Sequence, residues 1–240
     1  MADPRTSIIY ERLKRIRRII AVSSGKGGVG KSLVATTLAL ALAGKGCKVG
    51  LFDLDFTSPS THLILGVKDV KPSEDKGLIP PKVEDIEYMS LIYYSGDQPV
   101  PLRGTDTSNV LIEMLAVTLW GDLDYLIIDT PPGIGDAMLD LLRLIPRIEF
   151  LIVTTSSQLA FETIKKQVNL LQKLNIRIVG IVENMKMTPT KTVQHQTESL
   201  RAKFLLEIPY DDKIEGSIGY PNKLRATELA RKVLKIADTL

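Results

Sequence analysis

The chain reads Gly25-Lys26-Gly27-Gly28-Val29-Gly30-Lys31-Ser32 after a short apolar run, and two phosphate-binding patterns overlap in those eight residues. Gly25, Gly27 and Gly30 have the spacing of the dinucleotide fingerprint, with Asp53 about where a ribose-binding acid belongs. That pattern leaves Lys31 and Ser32 without a task. The mononucleotide P-loop uses every position: glycine N–H groups surround a phosphate chain, Lys31 reaches the β- and γ-phosphates, and Ser32 offers a hydroxyl to Mg2+. The P-loop is the reading adopted, with Gly25 to Ser32 and the adjoining Leu33 as the phosphate-binding set.

Three carboxylates and a second lysine extend this chemistry to hydrolysis. Lys26 is a cation that an ordinary P-loop does not need. It would neutralise phosphate charge most usefully across a subunit interface, as an arginine finger does in trans. Asp53 and Asp55 are two residues apart, so extended chain would present both on one side. One would join the magnesium shell while the other orients or deprotonates the attacking water. Asp129 closes a further apolar run and is the second magnesium-shell candidate. The stiff turn Thr130-Pro131-Pro132-Gly133 behind it suits a sensor of the γ-phosphate.

These residues need a scaffold, and the apolar runs supply one. Strand-length runs recur at Ile19–Ser23, Val49–Asp53, Tyr125–Asp129, Phe150–Thr155, Ile178–Val182 and Phe204–Ile208. They do not alternate apolar with polar, which fits strands buried on both faces. Helical stretches lie between them: Ser32–Ala43, Val110–Leu119, Ala137–Leu144, Ala160–Leu174 and Thr192–Lys203. The alternation predicts a doubly wound, mostly parallel α/β sheet flanked by helices, with ligands at the carboxyl ends of the strands. Lys68–Pro101, rich in proline, is a surface excursion with one further strand at Ile86–Tyr94. Arg225–Leu240 is a closing helix packed on the sheet. Residues 1–18 form a basic, solvated leading segment before one P-loop domain over residues 19–240.

Composition narrows the function classes. The chain has 240 residues, 44% hydrophobic and 25% charged, and a net charge of +3, too small to argue for nucleic-acid binding by itself. Its one cysteine, Cys47, excludes an internal disulfide framework and a metal or cluster site built from the cysteines of a single chain. No stretch reaches the roughly 18 apolar residues of a membrane span, and no apolar core follows the early arginines. A cytoplasmic setting is expected. His62 and His195 lack metal-ligand spacing, Met185 and Met187 read as loop packing, and Trp120 as packing before the Asp129 strand.

The octapeptide resembles the deviant Walker A of the MinD, ParA and Mrp ATPases. Leu102-Arg103-Gly104, the Trp120–Asp129 stretch, Asp129-Thr130-Pro131-Pro132-Gly133-Ile134-Gly135-Asp136, Val153-Thr154-Thr155 and Gly180-Ile181-Val182-Glu183-Asn184-Met185 narrow the resemblance to the Mrp family, whose members carry iron–sulfur clusters. It runs from about Ile19 to Lys223. It implies an ATP-dependent homodimer with nucleotide sandwiched between subunits, Lys26 reaching the partner's nucleotide, Asp55 positioning water, and Asp53 and Asp129 lining the Mg2+ shell. It also implies that Asn184 reads the adenine while the Ile208-Pro209-Tyr210-Asp211 loop closes over the base.

One departure stands out. The family carries Cys-x-x-Cys shortly after Glu-Asn-Met, whereas this chain has Lys186-Met187-Thr188-Pro189-Thr190-Lys191-Thr192. The expectation is an Mrp-type carrier or assembly ATPase without its own bridging cluster, serving an iron–sulfur or other protein client. Two alternatives stay open: a ParA- or MinD-like positioning ATPase acting on DNA or, less readily, a membrane, and a metallocentre-insertion ATPase. A small-molecule kinase is a distant fourth.

Overall fold

The structure is a computed structural model and describes residues 3–56, 58–95 and 105–240. In chain order the elements are α1 (Arg5–Leu13), β1 (Arg18–Ser24), α2 (Lys31–Gly44), β2 (Val49–Asp53), α3 (Thr61–Leu65), β3 (Ser73–Glu74), β4 (Leu78–Ile79), β5 (Lys82–Val83), β6 (Ile86–Ser90) and α4 (Ile92–Ser95). They continue with α5 (Thr105–Val117), β7 (Tyr125–Asp129), α6 (Asp136–Leu144), β8 (Ile148–Thr154), α7 (Gln158–Lys173), β9 (Ile178–Lys186), α8 (Thr192–Ser199) and β10 (Phe204–Pro209). A 3₁₀ turn at Asp212–Ser217, α9 (Pro221–Arg225) and α10 (Glu228–Ala237) close the chain.

Eight strands form one sheet in the order β10-β9-β8-β1-β7-β2-β6-β5. All neighbours are parallel except β5 with β6. Alternate residues of each central strand feed opposite cores. Ile19, Ala21, Phe52, Ile128 and Ile152 pack towards α1, α5, α6 and α7, while Ile20, Val22, Leu51, Ile127 and Val153 pack towards α2 and α10. Burial on both faces explains why the strands read as continuous apolar runs. The chain leaves β1 towards β2 on one side and passes from β7 over to β8 on the other. The carboxyl ends of β1, β2 and β7 therefore meet at a topological switch point, where doubly wound sheets bind ligands.

Three sequence expectations change. The leading segment is not a solvated arm: Ile9, Leu13 and Ile16 are buried in the core, and α1 lies on α5 and α6. Its 3.6-residue apolar spacing was masked by the arginines around it. Those arginines largely have partners, Arg5 with Asp3 at 2.8 Å, Arg15 with Asp122 at 3.0 Å and Arg18 with Glu149 at 2.7 Å. The excursion carries β3, β4 and β5 besides β6. The strand expected over Ile86–Tyr94 ends at Ser90, where Ser90 Oγ accepts from Ile92 N and α4 begins. The closing helix is divided: Thr227 caps α10 by accepting from Ala230 N at 3.2 Å, so Arg225 and Ala226 belong to α9 and its end.

Because α1 is part of the core, Ile9→Ala should lower unfolding free energy by about 2–5 kcal/mol. Urea denaturation followed by far-ultraviolet circular dichroism reads this out. An unchanged midpoint would place α1 outside the cooperative unit.

Candidate nucleotide-binding site

β1 ends at Ser24 and α2 starts at Lys31, so Gly25 to Gly30 must reverse the chain within one loop. Gly28 and Gly30 have φ of 78° and 80°, a region that side chains disfavour. Gly30 has a second constraint: a Cβ there would lie 2.3 Å from Asn184 Nδ2. Gly25 is confined by α7, since its Cβ would meet Thr163 Oγ1 at 2.2 Å. The loop is braced from below. Asn184, buried at the end of β9, donates Nδ2–H to the Val29 carbonyl at 2.9 Å. Met185 beside it has φ of 54°, a strained conformation for a residue with a side chain.

Lys31 is buried in the first turn of α2. Its Nζ donates to Asp129 Oδ1 at 2.6 Å, lies 3.4 Å from Asp55 Oδ2 and is 3.2 Å from Ser32 Oγ. Asp53 and Asp129 end β2 and β7 in direct register, and both are buried. Burial pushes the Asp129 carboxyl up to about 7, against the pull of the Lys31 ammonium and with the help of Asp53 beside it. Burial also raises Asp53, opposed by its hydrogen bonds from Thr61 and Asp55 N. Asp53 Oδ1 accepts from Asp55 N at 3.1 Å, and Oδ2 accepts from Thr61 N at 3.2 Å and Thr61 Oγ1 at 2.6 Å.

The Asp53–Asp55 pair is thus not presented by extended chain. β2 stops at Asp53 and the backbone turns over its carboxylate, yet Asp55 still arrives beside Lys31. The turn after Asp129 is stitched to β1: Thr130 Oγ1 donates to Val22 O at 3.0 Å, and Gly133 N donates to Ser24 O at 2.7 Å.

Above Lys31 lies a cavity of about 460 Å³, lined by Lys26, Gly27, Gly28, Gly30, Lys31, Ser32 and Leu33, by Asp55, Ser58 and Ser60, and by Leu63, Ile64, Pro132 and Ile218. Exposed Lys26 stands at its rim, and no ion pair forms to it among the described residues. The donor set fits Mg2+. Asp129 Oδ2 is buried without a hydrogen-bond partner, and the Ser32 hydroxyl lies beside the same ammonium. No group of three or more metal-ligating side chains converges among the described residues. Mg2+ characteristically keeps several waters and takes one or two carboxylates plus phosphate oxygens.

Not every expected residue lines this cavity. Val29 is buried under the loop, and Asn184 holds that loop. Pro209 pairs in register with Lys186, and Asp211 accepts from Lys213 N at 3.0 Å and Glu228 N at 3.3 Å. From the segment after β10, Ile218 is the residue that reaches the cavity wall. Trp120 packs edge-on against Phe52, with centroids 5.4 Å apart. His62 is in α3 and His195 in α8; Cys47 is half-buried between α2 and β2. Leu102-Arg103-Gly104 lie outside the described residues. Thr61, Tyr88 and Thr163 are not marked by any motif spacing in the sequence.

A strand, a glycine loop and a helix that cradle a cavity over Lys31, Ser32 and Asp129 define a P-loop NTPase. Comparison with known proteins narrows this: the family model described as ParA, NUBPL iron-transfer P-loop NTPase, matches residues 15–229, and the chain belongs to that family. An iron–sulfur cluster carrier protein of Pseudomonas fragi is 41% identical over 177 residues, covering 72% of this chain and 62% of its own. One from Methanocaldococcus jannaschii is 37% identical over 249 residues, covering 95% and 86%. The chain spans less than two thirds of the Pseudomonas relative's length. A nucleotide-binding protein of Archaeoglobus fulgidus, solved in complex with ADP, superposes with a TM-score of 0.79 at 30% identity, over 92% of this chain and 93% of its own.

The two left-handed glycines separate steric from conformational cost. Gly28→Ala, with open space around its Cβ, should cost about 1–2 kcal/mol of backbone strain. Gly30→Ala should lose more and abolish binding of a fluorescent ATP analogue. Equal thermal shifts for the two variants would contradict the Asn184 brace.

Proposed function

We propose that the chain is a Mg2+-dependent, ATP-hydrolysing dimeric switch of the iron–sulfur carrier family, which acts with a client that supplies the cluster ligands. The observation that carries the reading is Lys31, an ammonium held by Asp129 and Asp55 beneath a glycine-lined cavity. A polyphosphate entering there meets the N–H groups at the start of α2 and the positive end of that helix. Lys31 would then exchange a carboxylate partner for the β- and γ-phosphate oxygens.

Ser32 and Asp129 are the residues that would hold Mg2+. When bound, the ion neutralises charge building on the phosphates. Asp55, at the cavity edge, orients the water whose oxygen attacks the γ-phosphorus. The bond from that phosphorus to the β–γ bridging oxygen breaks, leaving ADP and phosphate. Lys26 would enter the partner's site and neutralise charge in trans. Asn184, with the Pro209–Asp211 segment beyond it, marks the side towards which the adenine would lie. No specific observation favours partition or positioning on DNA or a membrane.

Lys31→Ala should lose nucleotide binding. Asp55→Ala should bind ATP, lose about 10²–10⁴-fold in turnover and accumulate as a dimer in sedimentation with saturating ATP. A monomeric Asp55→Ala under those conditions would contradict the sandwich. Lys26→Ala should weaken dimerisation more than ATP binding, and the reverse order would make Lys26 an ordinary loop cation.

The cargo is tested separately. The sequence has one cysteine and no Cys-x-x-Cys after Glu183-Asn184-Met185. Anaerobic reconstitution with iron and sulfide should leave iron at background. Stoichiometric iron that disappears in Cys47→Ser would restore direct cluster carriage.

A further inference from the structure

Asp53 and Asp129 end adjacent strands in register, but their carboxylates are engaged differently. Asp129 gives one oxygen to Lys31 and keeps Oδ2 without a hydrogen-bond partner. Both oxygens of Asp53 are held by the chain itself, Oδ1 by Asp55 N–H at 3.1 Å and Oδ2 by Thr61 N–H at 3.2 Å and the Thr61 hydroxyl at 2.6 Å. Thr61 Oγ1 also lies 2.9 Å from Tyr88 Oη on β6. Asp53 is 1% exposed, and Thr61 and Tyr88 are 0% exposed.

Thr61 Oγ1 donates its one proton to Asp53 Oδ2, which leaves the Thr61 oxygen to accept from Tyr88 Oη–H. The hydrogen bonds reach both ends of one loop, Asp55 near its start and Thr61 at its end. That loop contributes Asp55, Ser58 and Ser60 to the cavity.

We infer that Asp53 is a positioning residue: with Thr61 and Tyr88 it clamps the loop that presents Asp55, and Asp129 is the carboxylate left to face the metal. Its consequence for turnover rests on the ATPase reading, whereas the clamp is a property of the folded chain without nucleotide. A fixed Asp55 holds its water without reordering the loop in each cycle.

The test is hydrogen–deuterium exchange on the whole chain in EDTA without nucleotide, with the amides of Asp55 and Thr61 as the readout. Asp53→Asn places an NH2 or a weaker acceptor opposite these donors and should speed exchange at both amides about tenfold or more, the loss of one charge-assisted hydrogen bond. Thr61→Val should loosen the loop similarly, and Thr61→Ser, which keeps the hydroxyl, should restore it. Tyr88→Phe should give a smaller increase and guards against a variant that fails to fold.

With a fluorescent ATP analogue, Asp53→Asn should leave the Mg2+ midpoint for binding within about twofold, while Asp129→Asn should shift it by about tenfold or more. Turnover should fall in Asp53→Asn and Thr61→Val with KM for ATP unchanged. Unchanged exchange in Asp53→Asn, or a Mg2+ midpoint shifted as far as in Asp129→Asn, would overturn the clamp. A wild-type chain that binds no analogue would sink the ATPase reading and leave the exchange result standing.

Discussion

A lysine ammonium buried against two carboxylates is the constraint on which this structure turns. Removing charges from water is expensive, and their mutual attraction offsets that cost only when the geometry is tight and the remaining polar atoms are met. Here Lys31 reaches Asp129 at 2.6 Å and Asp55 at 3.4 Å, with Asp53 beside Asp129 in register. Two carboxylates on one cation, with a third in register beside them, are over-supplied with negative charge. Burial and the neighbouring Asp53 accordingly push Asp129 upward. Such a cluster is suited to an incoming magnesium ion and a polyphosphate, which redistribute charge that the chain alone cannot balance. The unpartnered Asp129 Oδ2 is the local expression of that imbalance.

The scaffold holds this cluster from several sides. β1, β2 and β7 are buried on both faces, so their carboxyl ends cannot drift independently. The glycine loop is wedged between Thr163 of α7 and Asn184 of β9, and the turn after Asp129 hydrogen-bonds to Val22 and Ser24 of β1.

Much of this was legible in the sequence because local chemistry and local spacing carried it. The P-loop announces itself in eight consecutive residues, and doubly buried strands appear as uninterrupted apolar runs ending at Asp53 and Asp129. The docking of α1 was hidden because Ile9, Leu13 and Ile16 sit among arginines, and the sequence does not show that Arg18 pairs with Glu149, 131 residues away. Thr61 and Tyr88 were hidden for another reason: a threonine opening a five-residue helix and a tyrosine on another strand share no spacing rule. Asn184 was marked by family resemblance as a base reader. Its geometry shows a task that the resemblance did not mark, the hydrogen bond to Val29 that holds the loop.

The central claim is that Lys31 exchanges a carboxylate for phosphate when nucleotide binds. The most direct measurement is the Lys31 Nζ–Asp129 Oδ1 distance in a crystal structure of the complex with Mg2+ and a non-hydrolysable ATP analogue. The account requires that pair, 2.6 Å here, to open beyond ion-pairing range, about 4 Å, with a phosphate oxygen taking its place. An analogue bound in the cavity while Lys31 stays on Asp129 would contradict it.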